Sequence, residues 1–106
     1  MKYERAKRVC KRHNGIIVEP IDQEKNDEMI AFARSKGIDT FWIGLTDRAV
    51  EGVWVWAVNG QVSWTNWGPG QPSTRSGDVA LVDTTSGEWR DERGRQPQRV
   101  LCQPEI

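Results

Sequence analysis

The chain has little in excess. Its 106 residues carry 15 basic and 15 acidic side chains, which leaves no net charge. Nucleic-acid modules usually show a strongly basic balance, so nucleic acid is not an expected partner. Long hydrophobic runs are also missing. The longest, Val53 to Val58, is six residues, whereas a spanning helix needs about 20. No membrane segment is expected, and the start Met1 to Arg5 leads into charged sequence rather than an apolar signal region, so any secretion signal is expected outside this chain. Apolar residues are sparse at 37%, although six tryptophans supply large buried area per residue. At about 100–200 residues per domain, the length fits one domain over 1–106, or a piece excised from something larger.

Histidine and cysteine are scarce as well: one and two residues. Cys10 and Cys102 sit almost at opposite ends, and three readings stay open. A bridge would close a loop of nearly the whole chain, stabilising by roughly 4–5 kcal/mol in the loop-entropy model. Two free thiols in a reducing compartment are the second. A zinc site with His13 is the third, but it lacks a fourth Cys or His ligand.

The pattern divides the chain in two. Tyr3, Ala6 and Cys10 fall on one face of a helix over Met1 to Asn14, with Arg5, Arg8 and Arg12 on another. Asn14-Gly15 stops it, and Gly15 to Val18 reads as a short buried strand ending at Pro20. Asp22 is a good N-cap for a second helix with Glu24 in its first turn. Met29, Ile30 and Ala33 give its core face, and Gly37 its stop. From Thr40 onward the pattern is strands and turns. Phe41 to Leu45 reads as a buried strand, and Val53 to Val58 as a central one, apolar on both faces. Asn59-Gly60 offers a two-residue hairpin turn, with Gln61 to Trp64 returning. A long loop fills Trp67 to Gly77. Two further strands, Val79 to Val82 and Arg99 to Cys102, are separated by a Gly87 turn and a basic loop. The class is α+β.

Catalysis is poorly supplied. His13, ringed by lysine and arginine, reads as a solvated surface histidine, so a nucleophile–base pair has no obvious base. Carboxylate pairs such as Asp83 and Glu88 are common enough to arise by chance. The glycine-rich stretch Gly68 to Thr74 contains prolines, which lack the amide donors a phosphate cradle needs. No enzyme is expected.

A more specific constellation runs through Trp42-Ile43-Gly44-Leu45-Thr46-Asp47, Glu51-Gly52-Val53-Trp54-Val55-Trp56 and Gly60. It continues through Trp64-Thr65-Asn66-Trp67, Gly70-Gln71-Pro72, Gly87-Glu88-Trp89-Arg90-Asp91 and Val100-Leu101-Cys102. Together with Tyr3, Ala6 and Cys10, this order resembles a C-type lectin-like domain over essentially the whole chain. The resemblance implies a double-looped α+β fold, two helices flanking a twisted antiparallel sheet, with Cys10 and Cys102 paired. It also implies a secreted or extracellular setting and a core role for Trp42, Trp54, Trp56 and Trp89.

The chain departs from the family at its sites. The inner disulfide of the family falls here on Val79 and Gly94, so the Trp67–Gly77 loop is expected to be more mobile than in relatives. The sugar-binding calcium cage falls on Gln71, Ser73, Gly77, Arg90 and Asp91. Its formal charge is zero, Asp91 against Arg90, and calcium wants six to eight oxygens with carboxylates among them. A guanidinium about 4 Å from a dication costs about 2 kcal/mol even in bulk water, and Arg90 cannot deprotonate. The principal site therefore reads as degenerate. A second family calcium site keeps Asp47, Glu51 and Asp78, with Thr74 at its remaining position. These acids either hold an auxiliary structural calcium or pair with Arg48, Arg75 or Arg90 as surface ion pairs.

Three ligand classes follow. The first is a carbohydrate or anionic glycoconjugate, sulfated or carboxylated, held without calcium by Arg90, Arg93 and Arg95 beside Gln71, Ser73, Asp91 and Trp67, since arginine forks suit such groups. The second is a protein ligand of a matrix or receptor protein that has lost sugar binding, with Trp64 and Trp67 as anchors. The third is a sugar gripped through a weak calcium site on Gln71 and Asp91. No cofactor is required by the first two.

Overall fold

The structure, a computed structural model, describes residues 1–73 and 77–105. The sequence expectations on Thr74 and Arg75 therefore lie outside the described residues. Helix α1 spans Tyr3–Arg12 and α2 spans Gln23–Ser35. The strands are β1 (Gly15–Ile17), β2 (Thr40–Thr46), β3 (Val55–Trp56), β4 (Val79–Asp83), β5 (Trp89–Glu92), β6 (Arg99–Val100) and β7 (Cys102–Pro104). Asp22 caps α2 as anticipated, its carboxylate accepting from Lys25 N at 2.9 Å.

The main sheet runs β3-β2-β4-β5, with β6 parallel to the start of β2; β1 and β7 pair separately. Because strand side chains alternate, β2 and β4 feed two cores at once. Phe41, Ile43, Leu45, Ala80 and Val82 face α2, packing with Ile30, Ala33, Trp56 and Trp89. Trp42, Val79 and Leu81 face α1, packing with Tyr3, Ala6, Cys10 and Ile17. Cys10 and Cys102 form a disulfide with a Cα–Cα distance of 5.4 Å. That bond ties α1 to β7 and closes out the free-thiol and zinc readings.

Three sequence expectations need correction. The Val53–Val58 run is not a central strand: only Val55–Trp56 pairs, at the sheet edge, and Val53 and Val58 are exposed. The following turn is tight, with Trp56 and Gly60 exchanging backbone hydrogen bonds of 2.8 and 3.1 Å, and 61–64 forms no returning strand. Residues 99–102 are not one strand: the segment divides at Leu101 into β6 and β7, which serve different sheets.

Glu19 holds this corner together. It is 1% exposed, and its carboxylate accepts from Val58 N (2.9 Å), Asn59 N (3.0 Å) and Asn59 Nδ2 (2.8 Å). Its own N–H donates to Gln103 Oε1 at 2.8 Å. One buried residue thus links β7, through its N–H, to the turn after β3, through its carboxylate.

Candidate functional site

The candidate site lies where the long loop after Trp67 meets β5. Trp89 N donates to Asn66 O and Gly68 N donates to Trp89 O, both at 2.9 Å. Asn66 Nδ2 adds a bond to Gly87 O at 2.7 Å. The loop therefore starts as an added partner of β5. Trp89 anchors it from below, its Nε1 donating to the buried Asn26 Oδ1 at 2.9 Å. Trp54, Trp56, Trp64, Trp67 and Trp89 meet edge-on at centroid distances of 5.0–5.8 Å, each such pair contributing about 0.5–1.5 kcal/mol beyond its buried area. Trp42, Trp56 and Trp89 are fully buried, as expected, whereas Trp54 is half-buried. Trp64 and Trp67 are half-buried in this cluster rather than standing free.

At the loop–strand junction, Gln71, Ser73 and Asp91 converge. Asp91 N donates to Gln71 Oε1 at 3.1 Å, and Ser73 N donates to Asp91 Oδ1 at 3.0 Å. Asp91 is 4% exposed, and its second oxygen, Oδ2, is buried with no hydrogen-bond partner among the described residues. Gly77 lies so close that a Cβ there would stand 2.5 Å from Asp91 Cβ. No side chain fits at that position without displacing the strand.

Arg90 alternates to the other side of β5. Its guanidinium is 3.6 Å from Asp83 Oδ2 and 4.0 Å from Glu92 Oε2, and it borders a shallow cleft of about 220 Å³ with Gln71 and Glu88. Both pairs are partly exposed and worth little energetically, yet they direct the cation. Arg93 and Arg95 do not join it. They line a separate groove beside the start of α1, so the three arginines expected to act together are divided between two places.

The residues at the cage positions do not fit calcium. Gln71 Oε1 and Asp91 Oδ1 already accept backbone bonds, Gly77 offers no side-chain donor, and a guanidinium replaces a donor at position 90. One carboxylate with one free oxygen falls well short of six to eight oxygen ligands.

The second acid set is also divided. Asp47 and Glu51 come together: their hydrogen bond and mutual repulsion hold the Glu51 carboxyl above the usual range. Asp47 Oδ2 additionally accepts from Gly52 N at 2.9 Å. Asp78 instead pairs with Arg48 Nε at 2.9 Å. Arg48 also grips Glu4 and stacks on Tyr3 at 5.1 Å. That bond to Arg48 holds Glu4 below the usual carboxylate range. Among the described residues, no group of three His, Cys, Asp or Glu side chains is arranged to hold a metal ion.

A family model for the lectin C-type domain matches residues 1–104. The chain belongs to the C-type lectin domain family. Tetranectin of Mus musculus is 31% identical over 108 residues, covering 95% of this chain and 54% of that protein. C-type lectin domain family 3 member A of Homo sapiens is 29% identical over 106 residues, covering 95% of this chain and 53% of that protein. Collectin-43 of Bos taurus is 25% identical, covering 95% and 32% respectively. The chain thus spans about a third to a half of the length of these curated relatives. Human lithostathine shares the fold at a TM-score of 0.90 and 23% identity, covering 99% of this chain and 77% of that one. The human scavenger receptor C-type lectin carbohydrate-recognition domain superposes at 0.86 with 25% identity, covering 96% and 81%. The C-type lectin fold, with two helices flanking antiparallel sheets, is therefore established for this domain.

Sequence reasoning missed Glu19, Asn26 and the part played by Arg48. In this lectin domain the one available signal for Glu19 was its place as a lone acid in the apolar run Ile16 to Pro20.

Proposed function

We propose that this lectin domain is a recognition module rather than an enzyme. Its ligand is a carbohydrate, specifically an anionic glycoconjugate, bound with weak or no dependence on calcium at the principal site. One observation carries this reading: the cage positions offer a single carboxylate, and its Oδ1 and the Gln71 oxygen are already bonded within the protein. A ligand here meets the Gln71 and Ser73 edge of the loop rather than a metal ion. Family membership supports recognition as the task, and the similar human scavenger receptor domain is described as a carbohydrate-recognition domain. Calcium is not required. The Asp47–Glu51 pair is a place where added calcium would relieve carboxylate repulsion, and its effect there would be structural. The Cys10–Cys102 bridge supports a secreted or extracellular setting, because such bonds persist in oxidising compartments. Among the described residues, no helix is long and apolar enough to cross a membrane.

A glycan array probed in calcium and again in chelator tests the proposal. Retention of acidic glycans in both conditions is expected, and binding that vanishes with chelator contradicts it. A second reading, protein recognition, is favoured by Val50, Val53 and Val58, which are 58%, 53% and 49% exposed around edge strand β3. An array blank in both conditions would shift the account to that reading.

A further inference from the structure

The basic residues of this chain are not equally available. Arg90 faces Asp83 and Glu92, and Arg48 bridges Glu4 and Asp78. Lys2, Arg93 and Arg95 differ: among the described residues they enter no ion pair and no side-chain hydrogen bond. These three line one groove of about 470 Å³ together with Arg48, Glu4 and Asp78.

The groove is built by a close backbone contact. Gly94 O accepts from Tyr3 N at 2.9 Å, which seats the 93–95 turn against the first residue of α1. A Cβ at Gly94 would stand 3.0 Å from Tyr3 Cβ and 3.2 Å from Arg48 Nη2, so the turn sits close against α1 and the Arg48 side chain. Arg93 and Arg95, flanking that glycine, are thereby held at the groove that Lys2 borders. Counting Glu51, which also lines it, four cations meet three carboxylates. Two of those carboxylates are engaged by Arg48, so the unengaged charge is mainly positive.

We infer that this groove, and not the Arg90 side of β5, receives the acidic group of the ligand. That group is an oxyanion carried on a saccharide, either a sulfate ester or a carboxylate. Guanidinium forks bind both bidentately, and three cations without protein partners need no internal bond broken before they bind. The inference rests on the glycoconjugate reading and assigns the position of its charge.

The test measures binding of the whole chain, in chelator, to two immobilised octasaccharides. One is sulfated and heparin-derived; the other is carboxylated, unsulfated and hyaluronan-derived. The double variant Arg93→Ser/Arg95→Ser is compared with Arg5→Ser/Arg12→Ser, which removes the same charge from exposed positions of α1. The groove variant is expected to bind about tenfold or more weakly, equivalent to at least about 1.4 kcal/mol, and the α1 variant to stay within about threefold. Preference for the sulfated sugar assigns a sulfate ester, and equal binding assigns the carboxylate chemistry. Equal losses in both variants, or no loss in the groove variant, overturn the groove while leaving the glycoconjugate reading intact. Wild-type protein that binds neither sugar overturns both.

Discussion

Replacing Glu19 should unsettle the fold more than any change to a surface charge. Its carboxylate is 1% exposed and accepts three hydrogen bonds of 2.8–3.0 Å from Val58 and Asn59. A hydrogen bond to a charged group contributes about 1.5–3 kcal/mol, so the gross sum is about 4.5–9 kcal/mol. Two effects reduce it. Val58 and Asn59 are exposed, so water can take over their N–H groups, and losing the carboxylate also removes the cost of burying it. We expect Glu19→Ala to destabilise by about 3 kcal/mol, a fall in Tm on the order of 12 °C or more for a domain this size. Glu19→Gln keeps the shape but turns an NH2 toward one of the three donors, costing about 1–2 kcal/mol. Urea unfolding followed by tryptophan fluorescence reads both. Hydrogen exchange in the Gln variant should be faster at the Val58 and Asn59 amides than in the β4 core. A Glu19→Ala cost under about 0.5 kcal/mol, within the range of ordinary surface changes, would refute the reasoning.

Other consequences are open to measurement. The Cys10–Cys102 bridge spans a separation of 92 residues, so Cys10→Ala/Cys102→Ala should cost about 4–5 kcal/mol by denaturant unfolding; a loss under about 1 kcal/mol would contradict the role assigned to the bridge. Burial, only partly offset by Arg48, pushes the Tyr3 phenol from 10.0 up to about 12. The unfolded chain therefore ionises first, and about 3 kcal/mol of stability, complete below pH 10, should be lost between pH 10 and pH 12. Tyr3→Phe should flatten that part of the stability–pH curve, and an unchanged slope would count against the buried phenol as its source. In a thermal melt, millimolar calcium should move Tm by less than about 2 °C, since Asp78 is engaged by Arg48 and the Asp47–Glu51 pair alone binds calcium weakly; a shift of about 5 °C or more would establish a structural calcium site.

What the sequence disclosed follows from how each residue is buried. The Tyr3, Ala6 and Cys10 stripe was legible because α1 has one wall to cover, and all three are buried. Strand β2 was legible because both of its faces are apolar and both are covered. Strand β5 was not anticipated, because one of its inward residues is Asp91: Trp89 and Asp91 are buried while Arg90 and Glu92 are half-exposed. The alternation is present in burial but absent in hydrophobicity. Val53–Val58 misled for the opposite reason, since an apolar run lies partly exposed at a sheet edge. The convergence of Gln71, Ser73 and Asp91 was legible only through family resemblance. The division of Arg90 from Arg93 and Arg95 depends on strand alternation and the Gly94 contact, and neither leaves a mark in composition or spacing.

Gln71 and Asp91 meet at the loop–strand junction through backbone hydrogen bonds rather than through a metal ion. A crystal structure grown with about 10 mM calcium, well above the roughly millimolar affinities of extracellular calcium modules, examines that junction directly. The account predicts no ion between Gln71 and Asp91, and an unchanged Arg90 facing Asp83 and Glu92. An ion coordinated by Gln71 Oε1 and Asp91 Oδ2, with Arg90 displaced, would contradict it.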